Sequence, residues 1–229
     1  MIKRILGKVK RKVFPPVRLG QVQIDRQRLE LGAYGVGVWT VDPTLLTKDS
    51  TVYCVGVGED ISFDLGLISR FGCTVHAMDP TPRSIQYVRE QKPPEQFRMH
   101  EWGLAARDGQ VTFYPPENPR HVSHTFLARK ETEHLAITVP VLSLGTIMNR
   151  LGHIKLDLLK IDIEGAEYEV IDDIVARNYP ITQLLIEFHH RFPQVGNSKT
   201  VEAIRKLNDA GYKIFAISES AEEYSFIRP

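Results

Sequence analysis

From residue 51 to the C-terminus, short apolar runs alternate with segments of helical period. This alternation is the pattern of βαβ units feeding a parallel sheet. TVYCVG (51–56), CTVHAMD (73–79), FRMHEW (97–102), DLLKID (157–162) and QLLIEFHH (183–190) read as successive sheet strands. Residues 60–71 place Ile61, Leu65 and Ile68 at helical spacing, and 82–92 carries Pro82 in a first turn. Residues 164–178 are amphipathic, and 200–211 ends on Gly211 as helices commonly do. RDGQVTFYPP (107–116) predicts a turn and a further strand, and ITVPVLSLGTIMNRLG (137–152) a strand followed by a helix. The chain closes on YKIFAISES and EYSFIRP, two strands joined by a tight turn, so an otherwise parallel sheet must finish with an antiparallel strand. The expected architecture is α/β. It is a single Rossmann-like, doubly wound, mostly parallel seven-stranded sheet with an antiparallel strand at its C-terminal end.

The stretch GVGEDISFD (56–64) sits where the first strand turns into the first helix. A dinucleotide loop wants G-x-G-x-x-G there, so that pyrophosphate rests on bare backbone N–H groups. Gly56 and Gly58 fit, but Ile61 occupies the third glycine position, and Glu59 and Asp60 would face an anion. Acids at a helix start are themselves stabilised by the backbone amides and the dipole, so plain capping accounts for one of them. Two acids beside a glycine turn suit a cationic ligand better than a phosphate, and the methionine part of S-adenosylmethionine carries both an ammonium and a sulfonium. A nicotinamide cofactor is the alternative. Asp79 ends the second strand near the ~20-residue offset at which an acid accepts hydrogen bonds from ribose hydroxyls. Standing before Pro80, it can equally form a turn.

LLKIDIEGAEYEVIDDI (158–174) closely resembles the hallmark of the FkbM-type methyltransferase family, a segment like L-K-I-D-x-E-G-A-E. The likeness runs from about Val52 to Arg191 and takes in MDPTPRSIQYV (78–88) and LLIEFHHRF (184–192). It implies the class I methyltransferase fold and an S-adenosylmethionine-dependent O-methyltransferase acting on a hydroxyl of a sugar, glycoconjugate or related natural product. Many relatives carry D-x-G-A-N-x-G at the first strand. Here Cys54 stands in the acidic position and Asp60 in that of the last glycine, so Glu59 or Asp60 is expected to replace the missing acid. On the same ground HEWGLA (100–105) is where the fold meets adenine, with Trp102 and Gly103 as contacts. An ordinary core role for Trp102 is the alternative.

Methyl transfer needs alignment and a base for the acceptor hydroxyl. Asp162 ends the fourth strand, and Glu187, His189 and His190 end the fifth. Ligands of open α/β sheets lie at these strand ends. Glu187 and His189 share a strand face; His190 points oppositely. The expectation is that Asp162, Glu187 and His189 carry the chemistry, with a histidine taking the proton. Alternatively they hold a divalent cation such as Mg²⁺ that acidifies the hydroxyl. A hydrogen-bonded strand end and a Glu187–Arg191 ion pair are the structural alternatives. Ser123 and His124, in an expected insertion, join His190 as substrate contacts. Glu167 is read as a helix-start acid, and Glu164 as a residue that could face the cofactor loop.

The chain has 229 residues, two cysteines and a formal charge of +1. Its first twelve residues hold six Lys or Arg and no acid, so the rest carries −5, a poor electrostatic match for nucleic acid. Residues 1–30 are read as a basic extension and 31–229 as the methyltransferase domain. Ile2, Ile5, Leu6, Val9 and Val13 share one helical face, which suggests a weak membrane-surface contact or packing on the domain. No secretory leader is evident, and the cysteine usage points to a cytoplasmic setting. The expected partner is a small-molecule or glycan acceptor. The rival readings are a nicotinamide-dependent oxidoreductase and a cofactor-binding module without turnover.

Overall fold

The computed structural model describes residues 17–33, 37–114 and 134–229. A hairpin of β1 (Leu29–Ala33) and β2 (Gly37–Val41) precedes the repeating part. There follow β3 (Thr51–Val55), α1 (Ser62–Phe71), β4 (Thr74–Met78), α2 (Pro82–Gln91), β5 (Phe97–His100), β6 (Gly103–Leu104) and β7 (Gly109–Phe113). After the undescribed residues come β8 (Ile137–Leu142), α3 (Leu144–Leu151), β9 (Leu156–Ile161), α4 (Glu167–Arg177), β10 (Ile181–Glu187) and α5 (Gly196–Asp209). β11 (Lys213–Ile217) and β12 (Glu223–Ile227) close the chain.

Seven strands form the main sheet in the order β11-β12-β10-β9-β3-β4-β5, as the alternating pattern predicts. β12 is the antiparallel member, inserted between β10 and β11. Successive residues of the buried strands point to opposite faces. Tyr53, Val55, Leu159 and Ile161 therefore join one core with α3, α4 and α5. Val52, Cys54 and Leu158 join the other with α1, α2 and the hairpin. Both faces are covered, which is why the strands read as near-continuous apolar runs.

Three local expectations change. The run 97–102 is not one strand: the chain leaves β5 after His100, and Gly103 pairs with Val141 of β8 in a separate three-stranded sheet of β6, β8 and β7. The hairpin 29–41 carries no turn signal of the usual two-residue kind, and its role emerges only from packing against α1. The domain boundary expected at residue 30 falls inside β1. Residues before it are already tied to the body: Leu19 N donates to Tyr224 Oη at 3.0 Å, Gln23 N to Ile214 O at 2.7 Å and Arg26 Nε to Asp42 Oδ2 at 2.7 Å. Ser123, His124 and the apolar stripe of the basic tip lie outside the described residues. Among the described residues no helix is long and apolar enough to cross a membrane.

Beneath β3, β4 and β5 lies a chain of neutral rings. The His76 and His100 rings stack with centroids 5.3 Å apart and share a contact of 3.0 Å between Nδ1 and Nε2. His153 meets His76 edge-on and takes a 2.7 Å hydrogen bond with Tyr53 Oη. Burial and the neighbouring imidazoles push the His76 pKa down to about 4, and burial lowers His100 and His153 in the same direction. A depressed imidazole pKa means the unfolded chain binds more protons between the two values, so stability is full above about pH 6.5 and is lost as pH falls toward 4. His76 alone is expected to contribute about 2 kcal/mol to this loss between pH 7.5 and pH 5. Urea unfolding at pH 7.5 and pH 5 measures it, and His76→Phe is expected to flatten the dependence.

Candidate active site

The strand order reverses between β3 and β9, and the crevice at that point is where open α/β sheets bind ligands. The two strand ends touch. Asp162 N donates to Val55 O at 3.1 Å, and a Cβ on Gly56 would fall 1.7 Å from Asp162 O. With φ at +84°, Gly56 is thus required twice, for its backbone angle and for the approach. Past this contact opens a cavity of about 620 Å³, within the range of small-molecule sites. Eight carboxylates and a single cation, Lys160, line it among the described residues.

The loop carboxylates divide by their partners. Glu59 forms a two-point ion pair with Arg83 of α2 at 2.6 and 3.0 Å. Asp60 accepts from Ser62 N and Ser62 Oγ, both at 2.9 Å, the geometry of a helix cap. Asp79 accepts from Val57 N and Gly58 N at 3.1 Å on one oxygen and from Thr81 N and Oγ1 on the other. A carboxylate offers about four lone-pair sites, so these bonds occupy it, and Asp79 shapes the glycine loop rather than presenting a free acid to a ribose. Glu59 and Asp60 likewise reach the cavity wall with their charges already engaged.

Two groups that sequence reasoning passed over fill the floor. Lys160 interrupts the apolar run of β9 and is 8% exposed. Its Nζ donates to Gly56 O at 2.8 Å, lies 3.5 Å from Asp162 Oδ2 and stands 5.0 Å over the Trp39 ring. Burial would lower its pKa, yet the carboxylates of Asp162, Asp64 and Glu187 raise it, so it stays an ammonium. Asp64, in the first turn of α1, is 5% exposed, and its Oδ1 has no hydrogen-bond partner. Burial pushes its pKa up to about 6 against the pull of Lys160. A charge inside a buried strand is costly unless paired, and that signal marked Lys160 in the sequence. Asp64 had no such mark, because an acid near a helix start is ordinary.

At the rim the expected groups meet. His189 Nε2 lies 3.5 Å from Glu164 Oε2, 3.8 Å from Asp162 Oδ1 and 3.9 Å from Glu187 Oε1. Its Nδ1 faces the fully buried Glu167 at 3.4 Å. Glu167 also accepts from His189 N at 3.0 Å and Gly165 N at 2.8 Å, so it pins the end of β10 to the start of α4 and is more than a helix-start acid. Burial disfavours an imidazolium, but Glu167, Glu164 and Asp162 outweigh it and push the His189 pKa up to about 10. The base role expected of His189 is corrected on this ground: already protonated, it cannot take a proton at neutral pH. Glu187 is shifted in the same direction, its pKa raised well above the usual carboxylate range by burial and by Asp162. His190 is buried, lies away from the cavity wall and has an unpartnered Nδ1, so its expected substrate contact is not made. Arg191 pairs with Glu222 and not with Glu187.

The same frame is found in known proteins. The Methyltransferase FkbM domain profile matches residues 53–214, which is most of the chain and includes both strand ends of the crevice. The chain belongs to the FkbM methyltransferase family. "Probable methyltransferase-like protein 24" of Rattus norvegicus is 28% identical over 153 residues, 64% of this chain and 35% of that protein. The Homo sapiens protein of the same name is 27% identical over 152 residues, 64% and 34% respectively. The chain thus spans about a third of the length of the curated relatives it matches. The crystal structure of methyltransferase FkbM from Methylobacillus flagellatus KT superposes with a TM-score of 0.50 at 14% identity, covering 80% of this chain and 44% of that one, and supports the class I methyltransferase fold.

In this FkbM domain the end of the cavity away from Lys160 is apolar. Pro80, Gly103, Leu104, Val111, Phe113 and Val141 form it. Trp102 is not among them. Its ring stacks on His100 at 4.8 Å and lies beneath Arg150, which places it outside the cavity wall where the adenine contact was expected of it. Gly103 lets the chain pass close to Pro80 and Val141, with a Cβ there only 3.2–3.3 Å from both.

The two loop glycines of the FkbM domain should differ sharply on substitution. Gly56→Ala drives a methyl group into the Asp162 carbonyl and is expected to cost more than ~4 kcal/mol. Gly58→Ala, at φ +56° with open space around it, should cost about 1–2 kcal/mol. Chemical denaturation of the two variants is the measurement, and comparable losses would contradict the close approach.

Proposed function

We propose that the domain is an S-adenosylmethionine-dependent O-methyltransferase acting on a hydroxyl of a small molecule, sugar or glycoconjugate. The observation that carries this reading is the polarity gradient of one cavity. Its Pro80–Val141 end suits an adenine ring, and its other end gathers Asp64, Lys160, Asp162 and Glu187 around a charged group. A nicotinamide dinucleotide fits poorly, since the acidic end would meet its pyrophosphate. The carboxylate-rich wall would also repel a nucleic-acid acceptor.

When bound, S-adenosylmethionine supplies a methyl group on a sulfonium, open to attack by oxygen. The residues of this chain align and deprotonate the acceptor. Glu187, with its raised pKa and its place at the end of β10, is the base that takes the hydroxyl proton. Asp162 beside it raises that basicity, and the His189 imidazolium holds the carboxylates together against their mutual repulsion. The buried, free Cys54 and Cys73 accord with a reducing compartment.

A second reading has one specific observation behind it. Donor atoms of Asp162, Glu164 and His189 lie within 4.8 Å of one another, a set that suits a divalent ion such as Mg²⁺ once the Nε2 proton is displaced. Such an ion would acidify the hydroxyl directly, and Glu167 behind His189 would orient its ring.

Calorimetric titration with S-adenosylhomocysteine tests the cofactor, and heat from NAD(H) alone would overturn the assignment. Glu187→Gln is expected to lower turnover by about 10²–10⁴-fold while changing product affinity less than threefold. Retained activity in a chelator assigns deprotonation to Glu187. Loss in chelator with recovery on adding Mg²⁺ assigns it to the ion.

A further inference from the structure

Among the carboxylates of the glycine loop and the first helix, Asp64 alone has an oxygen without a partner. Arg83 holds Glu59, Ser62 holds Asp60, and four donors hold Asp79. Asp64 lies deeper than these acids, 5% exposed, and it forms part of the cavity wall. It makes no ion pair within 4.0 Å, so Lys160 attracts it without neutralising it by contact. Leaving a buried acceptor unpaired is expensive, which makes a missing donor the natural complement of this atom. Lys160 shows the reverse deficit. Its ammonium has three N–H groups, and only Gly56 O accepts one in a hydrogen bond, with Asp162 at 3.5 Å.

An acid with one unpartnered oxygen, whose side-chain hydrogen-bond partner is the weak Cys54 thiol donor, and an under-used cation therefore line one end of the same cavity. This pairing matches a zwitterion, in which an ammonium and a carboxylate branch from one carbon. We propose that Asp64 receives the α-ammonium, and Lys160 the α-carboxylate, of the amino-acid portion of the bound methyl donor. The assignment rests on the methyl-donor reading above. It corrects the expectation that Glu59 or Asp60 replaces the acid absent at Cys54. Cys54 of β3 faces the same side of the sheet as Lys160, with which it is in register, and α1 brings Asp64 onto that side. The negative charge has moved from strand to helix without leaving the crevice.

The test compares two nucleosides, S-adenosylhomocysteine and 5′-methylthioadenosine, which keeps the thioether and adenosine but lacks the amino-acid group. Calorimetry is run on the full chain, on Asp64→Asn and on Asp64→Glu. Asp64→Asn is expected to weaken S-adenosylhomocysteine by about 10- to 100-fold, in line with loss of a charge-assisted bond. Methylthioadenosine affinity should remain within twofold, which also certifies that the cavity is intact. Asp64→Glu should recover part of the loss. Unchanged S-adenosylhomocysteine binding in Asp64→Asn, or an equal loss for both nucleosides, overturns the assignment while leaving the methyl-donor reading standing. Wild-type protein that binds neither nucleoside overturns both.

Discussion

The Lys160 ammonium is the interaction on which the site depends. An isolated cation could not remain charged in the centre of a sheet buried on both faces. Here its charge is held by a backbone carbonyl, an aromatic face and carboxylates on three elements. Each partner also fixes a piece of structure. The bond to Gly56 O orients the turn after β3. The contact with Trp39 brings the N-terminal hairpin over the crevice. The pull on Asp162 sets the start of the next loop. Replacing such a hub with an apolar side chain would leave several acids facing one another with no counter-charge.

The remaining carboxylates follow a common logic. Glu59, Asp60 and Asp79 are tied to local donors and maintain the loop, whereas Asp64 keeps an oxygen without a partner. Asp64 and Glu187 both have raised pKa values because burial penalises their ionised forms and like charges lie close by. His189 is raised by the same field acting on a cation. A field of one sign therefore raises the pKa of a carboxyl and of an imidazole less than 4 Å apart. Burial alone would have moved the histidine the other way, as it does for His76 of β4.

Most of the frame was legible in the sequence, because buried parallel strands announce themselves as apolar runs and helix ends carry glycine or proline. Strand ends were legible too, so Asp162, Glu187 and His189 could be assigned to one rim from order alone. Three kinds of information were not. The hairpin at 29–41 depends on packing against α1 rather than on a local turn. Trp102 was misplaced because the chain leaves β5 two residues earlier than expected and turns to pair with β8. The protonation of His189 depends on Glu167, an acid whose local pattern reads as ordinary helix-start chemistry but whose side chain crosses to another element.

Acids crowd one end of the crevice around the Lys160 ammonium, which links stability to binding. Like charges held together in a low-dielectric site destabilise the folded state in proportion to their proximity, and a cationic ligand relieves that cost on entering. On the proposed function the donor carries a sulfonium and an ammonium, whereas the product left after methyl transfer has lost the sulfonium charge. The same carboxylates that favour entry of the donor therefore hold the product less strongly. On that reading, loss of the sulfonium charge favours release of the product. A site built around a phosphate would have no such asymmetry.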